Sequence, residues 1–311
     1  MGAGRYAPSP SGELHLGNLR TALLAWLFAR STGRGFLLRV EDLDRARAGA
    51  EAIQLADLRA IGLDWDGPVV RQTERTDGYL AAIAALGEAG LLYECFCTRR
   101  DIAEASSAPH AAPGAYPGTC RNLTEAERAA RRAVRPAALR LRTDLDRFTV
   151  TDVLHGDYTG VVDDFVVVRN DGVHAYNLVV VVDDALQGID QVVRGDDLLP
   201  STPRQAHLAT LLAQLDAVPA AASGTVPPQY AHVPLVLNAD GKRLAKRDGS
   251  VTLAQLRQDG ITAERVRAVL LESAGLPGGP LARALDAFDP AHLPREPWVF
   301  TGFPASTGGM H

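Results

Sequence analysis

The amino-acid sequence predicts an α/β fold built on an open parallel sheet of Rossmann type that is interrupted by an inserted subdomain. Three observations carry this. Extended and helical patterns alternate through the first ninety or so residues, the order of βαβ units. A Pro- and Gly-rich loop separates the first extended segment from an apolar helix, as at a phosphate-binding βα turn. A chain of 311 residues that is 46% hydrophobic also has enough material for a sizeable core.

Taken in order, residues 4–7 read as the first strand. Residues 18–31 read as a helix, because Leu19, Leu23, Trp26 and Leu27 repeat with the spacing of one buried face. Residues 35–41 follow as a strand and 49–61 as a second helix. Residues 76–89 read as helical and 91–96 as extended. Thr124 and Glu127 make a Thr-x-x-Glu capping box that opens a further helix, and Pro136 closes it. The turn Asn170-Asp171-Gly172 between 164–168 and 174–182 predicts a hairpin. The division expected from this pattern is a catalytic domain of residues 1–94 and 191–249, an insertion over 95–190, and a helical segment with a flexible tail over 250–311. Within the last segment 253–258 and 263–274 read as short helices, the periodic pattern decays beyond Pro277, and 301–311 reads as disordered. Residues 219–228 read as a Pro-, Ala- and Ser-rich loop.

A net charge of −5 excludes a globally basic nucleic-acid binder, so any RNA contact must be local. The candidate is the cluster Arg128, Arg131, Arg132, Arg135, Arg140, Arg142 and Arg147. No apolar run is long enough to span a bilayer, and no signal peptide opens the sequence. Three cysteines outside a secretory context point to the cytoplasm.

Two short stretches carry chemistry. Only two lysines occur, Lys242 and Lys246, within the stretch Gly241-Lys242-Arg243-Leu244-Ala245-Lys246-Arg247, while every other basic side chain of this class is arginine. A lysine is a compact, mobile charge where arginine is a rigid fork, so lysines confined to one loop point to phosphate handling. At the other end, Pro8-Ser9-Pro10-Ser11-Gly12-Glu13-Leu14-His15-Leu16-Gly17-Asn18 brings a histidine to the start of the first helix. Free backbone N–H groups and the helix dipole favour an anion there.

His15-Leu16-Gly17-Asn18 resembles the HIGH signature of class I aminoacyl-tRNA synthetases, and Arg243-Leu244-Ala245-Lys246-Arg247 resembles their KMSKS loop. The opening words, Arg5-Tyr6-Ala7-Pro8-Ser9-Pro10-Ser11-Gly12, are similar to the glutamyl branch and most of all to the short glutamyl-queuosine tRNA(Asp) synthetase family. The resemblance covers about residues 3 to 275. Two positions depart from it, since Arg243 replaces the first lysine of the loop and Ala245 its serine. The resemblance implies a class I synthetase fold whose catalytic groups are His15 and Lys246, with Pro8, His15, Gly17, Asn18 and Lys246 binding ATP. It implies glutamate held by Arg5, Ala7, Ser9, Glu41, Tyr176 and Arg194. The residue types fit a substrate with two carboxylates and one ammonium, which needs arginine forks and one anion.

Cys95, Cys97 and Cys120 supply three thiolates, one ligand short of a closed tetrahedral zinc site. Ligand chemistry alone favours His110 as the fourth. The family resemblance instead implies Tyr116, four residues before the last cysteine, and one structural Zn²⁺. Three buried cysteines without a metal are the alternative.

The implied reaction is ATP-dependent, with Mg²⁺ accompanying ATP. The α-carboxylate of L-glutamate attacks the α-phosphorus, then an acceptor hydroxyl attacks the adenylate. The segment after Gly249 is too short for a helical anticodon-binding module, so the expected acceptor is the queuosine of tRNA(Asp), with the enzyme acting as a monomer. The alternatives are a minimal glutamyl-tRNA synthetase and a non-catalytic paralogue that binds tRNA or nucleotide.

Overall fold

A computed structural model describes residues 2–98, 100–102, 116–218, 226–244 and 251–303. The expectation for a disordered 301–311 lies largely outside these residues, as does most of the 219–228 loop.

The first strand, β1 (Ala3–Tyr6), feeds α1 (Leu16–Ser31), which leads to β2 (Gly35–Val40) and α2 (Ala50–Ala60). The short β3 (Val70–Arg71) and α3 (Thr76–Glu88) follow. In its middle α1 is apolar all round, from Ala22 to Ala29, because it is covered on every side: it packs against β1 and β9 on one face and against the helices after residue 263 on the other. Buried Arg20 ties the two together, donating to the Pro234 carbonyl (2.8 Å) and to Ser273 Oγ (2.9 Å).

Next come β4 (Leu92–Cys95), α4 (Glu125–Arg132), β5 (Ala138–Leu141), β6 (Arg147–Asp152), β7 (Gly156–Val161) and β8 (Val166–Val168). The capping box is present, with Thr124 accepting from the Glu127 amide and Glu127 from the Thr124 amide. The helix stops at Arg132, a turn before Pro136, whose ring forbids helical geometry at the residue before it. Then α5 (Tyr176–Leu186), β9 (Ile189–Gly195), α6 (Thr202–Gln214), β10 (Gln229–Val233) and β11 (Val236–Leu237) complete the main body. The C-terminal part holds α7 (Leu253–Gln258), α8 (Ala263–Glu272), α9 (Leu281–Asp286) and β12 (Trp298–Val299), which pairs with β11. The decay of pattern beyond Pro277 therefore hides a helix, a 3-10 turn (Pro290–His292) and a strand, each too short to show a period.

The main sheet has the order β3-β2-β1-β9-β10-β6-β7, parallel except where β7 turns back on β6. After β1 the chain moves outward through β2 and β3, and later returns to the opposite side of β1 with β9 and β10. The carboxyl ends of β1 and β9 thus flank a topological switch point, the place where open α/β sheets bind ligands. A second, antiparallel sheet has the order β4-β5-β8. Residues 95–190 accordingly contribute to both sheets.

One expectation is corrected. The turn at 170–172 forms, with Gly172 at φ 83° and a single bridge between Val168 and His174, but 174–182 does not continue as a strand. Leu178 to Val182 lie in α5 and are all buried. A continuous run of valines has neither a period of two nor one of 3.6, so pattern alone leaves buried strand and buried helix open; here the run is helical and packs between α3 and α6. The hairpin of this region is β6–β7 instead.

Candidate functional site

A cavity of about 570 Å³ opens at the switch point. It is lined by Arg5, Ala7, Pro8 and Ser9 after β1, by His15, Gly17 and Asn18 at the start of α1, by Glu41 after β2, by Tyr176 at the start of α5, and by Arg194 on β9. Among the described residues every site position read from the sequence outside the cysteine cluster is therefore brought to one cavity. Lys246 and Ala245 lie outside the described residues.

His15 is the N-cap of α1. Its Nδ1 accepts the Asn18 amide and the Asn18 side chain accepts the His15 amide, each at 3.3 Å. With Nδ1 occupied as an acceptor, a neutral ring carries its proton on Nε2 and can donate. Gly17 makes this close capping possible, since a Cβ there would sit 3.1 Å from the imidazole. The lysine-bearing loop is anchored on both sides of its undescribed part. The Leu244 amide donates to Val236 O (3.1 Å) and the Val251 carbonyl accepts from Leu16 N (3.1 Å), beside the bridge between His15 and Thr252. Arg243 pairs with Asp197, and both line the cavity.

The arginines are set by partners that the sequence did not single out. Arg5 donates through Nε (3.1 Å) and Nη2 (3.4 Å) to Asp184, which also accepts from fully buried Arg39 (2.7 Å). Arg39 approaches Glu41 (3.5 Å) and Asp183 (3.6 Å), and Asp183 also takes Arg75, Gln72 and Tyr79. Arg5, Arg39 and Arg75 thus meet Asp183, Asp184 and Glu41 at equal charge. Burial would push the Asp184 carboxyl up, but the two guanidiniums outweigh it and hold it below the usual carboxylate range. Burial dominates at Glu41 and raises it, with Arg39 and Arg5 opposing. Asp184→Asn would take from buried Arg5 its carboxylate partner and from Arg39 the nearest of its three. We expect a loss of about 3–5 kcal/mol of stability on chemical denaturation, the scale for breaking a buried pair; a loss below about 1 kcal/mol would contradict this network.

Arg45 was also missed. It holds a left-handed backbone (φ 60°) and lines both this cavity and a second one of about 810 Å³, which shares Ser9, Glu41 and Tyr176 and extends to Arg135, Arg140, Arg169, Cys95 and Cys97. Most of the arginine cluster expected to meet RNA is spent on the protein itself. Arg132 pairs with Glu94 and Glu125, Arg128 with Glu125, and Arg142 with the Arg121 carbonyl. Arg140 lies 3.6 Å from the Tyr116 ring centre.

The three cysteine sulfurs lie within 4.8 Å of one another. Tyr116 Oη stands 3.4 Å from Cys95 Sγ and 3.8 Å from Cys97 Sγ, and Cys97 is 3.6 Å from Cys120. Ligands at zinc distances and tetrahedral angles are separated by about 3.5–3.8 Å, so these donors are compatible with a zinc ion. Burial opposes the Cys95 thiolate, but hydrogen bonds to Tyr116 and Arg140 outweigh it and lower the thiol's pKa. His110 lies outside the described residues.

Comparison with known proteins fits this geometry. Residues 3–276 match the family model of class I tRNA synthetases (E and Q), catalytic domain. A glutamyl-Q tRNA(Asp) synthetase of Nocardia farcinica is 66% identical over 301 residues, which span 96% of this chain and 93% of that protein. One of Cutibacterium acnes is 54% identical over 88% of this chain and 76% of its own length. Among solved structures, a glutamate tRNA ligase from Elizabethkingia meningosepticum in complex with its amino acid superposes with a TM-score of 0.78 at 28% identity, covering 96% of this chain and 67% of that one.

Proposed function

Because the chain belongs to the class I tRNA synthetases (E and Q), and within them to the glutamyl-Q tRNA(Asp) synthetases, we propose that it activates glutamate as an adenylate and transfers it to the queuosine of tRNA(Asp). It is an ATP-dependent ligase. The single observation that carries the substrate is the cavity, whose lining combines two arginines, Arg5 and Arg194, with the Glu41 carboxylate. Forks suit carboxylates and Glu41 suits the substrate ammonium. Pro8, Ala7 and Ser9 supply the loop wall, and Tyr176 closes the α5 side.

ATP, with Mg²⁺, lies toward the start of α1, where Gly17 and Asn18 shape the helix end and His15 Nε2–H donates to phosphate. The glutamate α-carboxylate oxygen bonds to the α-phosphorus while the bond to pyrophosphate breaks. Lys246 and His15 balance the charge that spreads over the phosphates. The acceptor hydroxyl then attacks the carbonyl and AMP leaves. The larger cavity, continuous through Ser9, Glu41, Arg45 and Tyr176 and edged by Arg135 and Arg169, is the route we assign to the RNA. Among the described residues no helix is long and apolar enough to cross a membrane, and we assign the enzyme to the cytoplasm, where its substrates are.

ATP–pyrophosphate exchange tests this. Glutamate should support exchange at least about a hundredfold better than glutamine or aspartate, because a site built for the second carboxylate is left with unpaired groups by the analogues. No exchange with glutamate would leave a binding module.

Cys95, Cys97, Cys120 and Tyr116 would hold one structural zinc. We expect about one zinc per chain by elemental analysis of untagged protein, lost to chelator together with order around 95–120. Tyr116→Phe should weaken retention. A zinc-free protein of unchanged stability would favour three thiols without a metal, and weakening by His110→Ala instead would move the fourth ligand.

A further inference from the structure

Arg194 is held differently from Arg5. Its Nε donates to His232 Nε2 at 3.1 Å and its Nη2 to Thr202 Oγ1 at 2.8 Å. His232 is completely buried and faces Arg194 across the parallel pair β9–β10. Its Nδ1 lies 2.6 Å from Asp152 Oδ2, at the end of β6, while Asp152 Oδ1 accepts the amides of Leu154 (2.9 Å) and His155 (3.0 Å). A carboxylate so supplied with donors stays ionised, so the Nδ1 proton points at Asp152 and Nε2 is left as the acceptor that Arg194 requires. Burial and the neighbouring guanidinium favour the neutral ring, although Asp152 opposes them.

We propose that His232, with Thr202, is the positioning residue that presents Arg194 to the substrate carboxylate. Together they grip one edge of the guanidinium, and the remaining N–H groups are left to the cavity that Arg194 lines. Both grips are neutral. Arg5 is already neutralised by the direct contact of Asp184, whereas among the described contacts no carboxylate touches Arg194, and Asp152 is separated from it by the imidazole. Arg194 therefore carries the uncompensated charge that an incoming carboxylate meets, and its orientation depends on an acceptor at His232 Nε2. This rests on the reading of the cavity as the glutamate site.

The test is the glutamate and ATP dependence of ATP–pyrophosphate exchange in the full chain. His232→Leu should raise the glutamate KM about 10- to 100-fold and Thr202→Val about tenfold, the range for hydrogen bonds to a charged group. The ATP KM should stay within about twofold in both, and His232→Gln, which keeps an acceptor near Nε2, should recover most of the loss. A merely structural role would move both KM values together and make the Gln and Leu variants alike; that result overturns the proposal. If His232→Leu does not fold, a folded Thr202→Val with parental glutamate KM overturns it equally. A parent chain without glutamate-dependent exchange overturns the reading of the site itself, and the proposal with it.

Discussion

Replacing Lys246 by alanine should lower glutamate-dependent ATP–pyrophosphate exchange by about two orders of magnitude or more, the scale for losing one contact made to charge developing in the transition state. The flanks of its loop support so large an effect. Leu244 is buried two residues before it, and Val251 is hydrogen-bonded to the first residue of α1 five residues after it. The flanking residues on both sides are thereby fixed close to α1, which begins beside His15, whose Nε2–H is the other donor assigned to the phosphates. Its effect should appear in kcat and leave the glutamate KM nearly unchanged, because glutamate is assigned to Arg5, Glu41 and Arg194. Exchange at nearly the parental rate would remove the reason for singling out the lysines. Arg243, which stands where the resemblance leads one to expect lysine, is paired with Asp197, so part of its charge is already used within the protein.

The elements around this loop were legible in sequence because their signals are local. The apolar period of α1, the capping residues Thr124 and Glu127, and the Pro- and Gly-rich stretch after β1 each act within a few residues, and the structure has them within one to four residues of the expected bounds. The valine run of α5 was misread for the same reason, since its local pattern is silent and distant packing decided it. What holds the site rigid was not legible at all. Asp184 lies 179 positions from Arg5, and Asp152 lies 80 from His232, and no spacing rule connects such pairs before the sheet order is known. An aspartate pair in an apolar stretch is a signal in retrospect: Asp183 and Asp184 follow four valines and are buried, and buried carboxylates require cationic partners.

The second large effect concerns the acceptor. The two relatives named glutamyl-Q tRNA(Asp) synthetase match this chain over 93% and 76% of their own length. The larger cavity, lined by Arg45, Arg135 and Arg169, shares Glu41 and Tyr176 with the smaller one. In the proposed reaction an anticodon loop entering there would bring a hydroxyl of the modified base to the adenylate carbonyl. Specificity then depends on the presence of that hydroxyl, and its absence should abolish transfer without affecting activation, because in the proposed reaction the adenylate forms before the hydroxyl takes part. Substitutions in the larger cavity, such as Arg169→Ala, should weaken transfer and leave exchange intact.

Transfer of labelled glutamate to tRNA(Asp) with and without queuosine, measured beside tRNA(Glu) and after periodate removal of the 3′ ribose diol with oxidation of the modified base controlled for, tests the central claim most directly. The expected result is label on queuosine-containing tRNA(Asp) alone, retained when the 3′ diol is destroyed. Robust labelling of unmodified tRNA(Glu), lost on periodate treatment, would contradict it and identify the chain as a minimal glutamyl-tRNA synthetase.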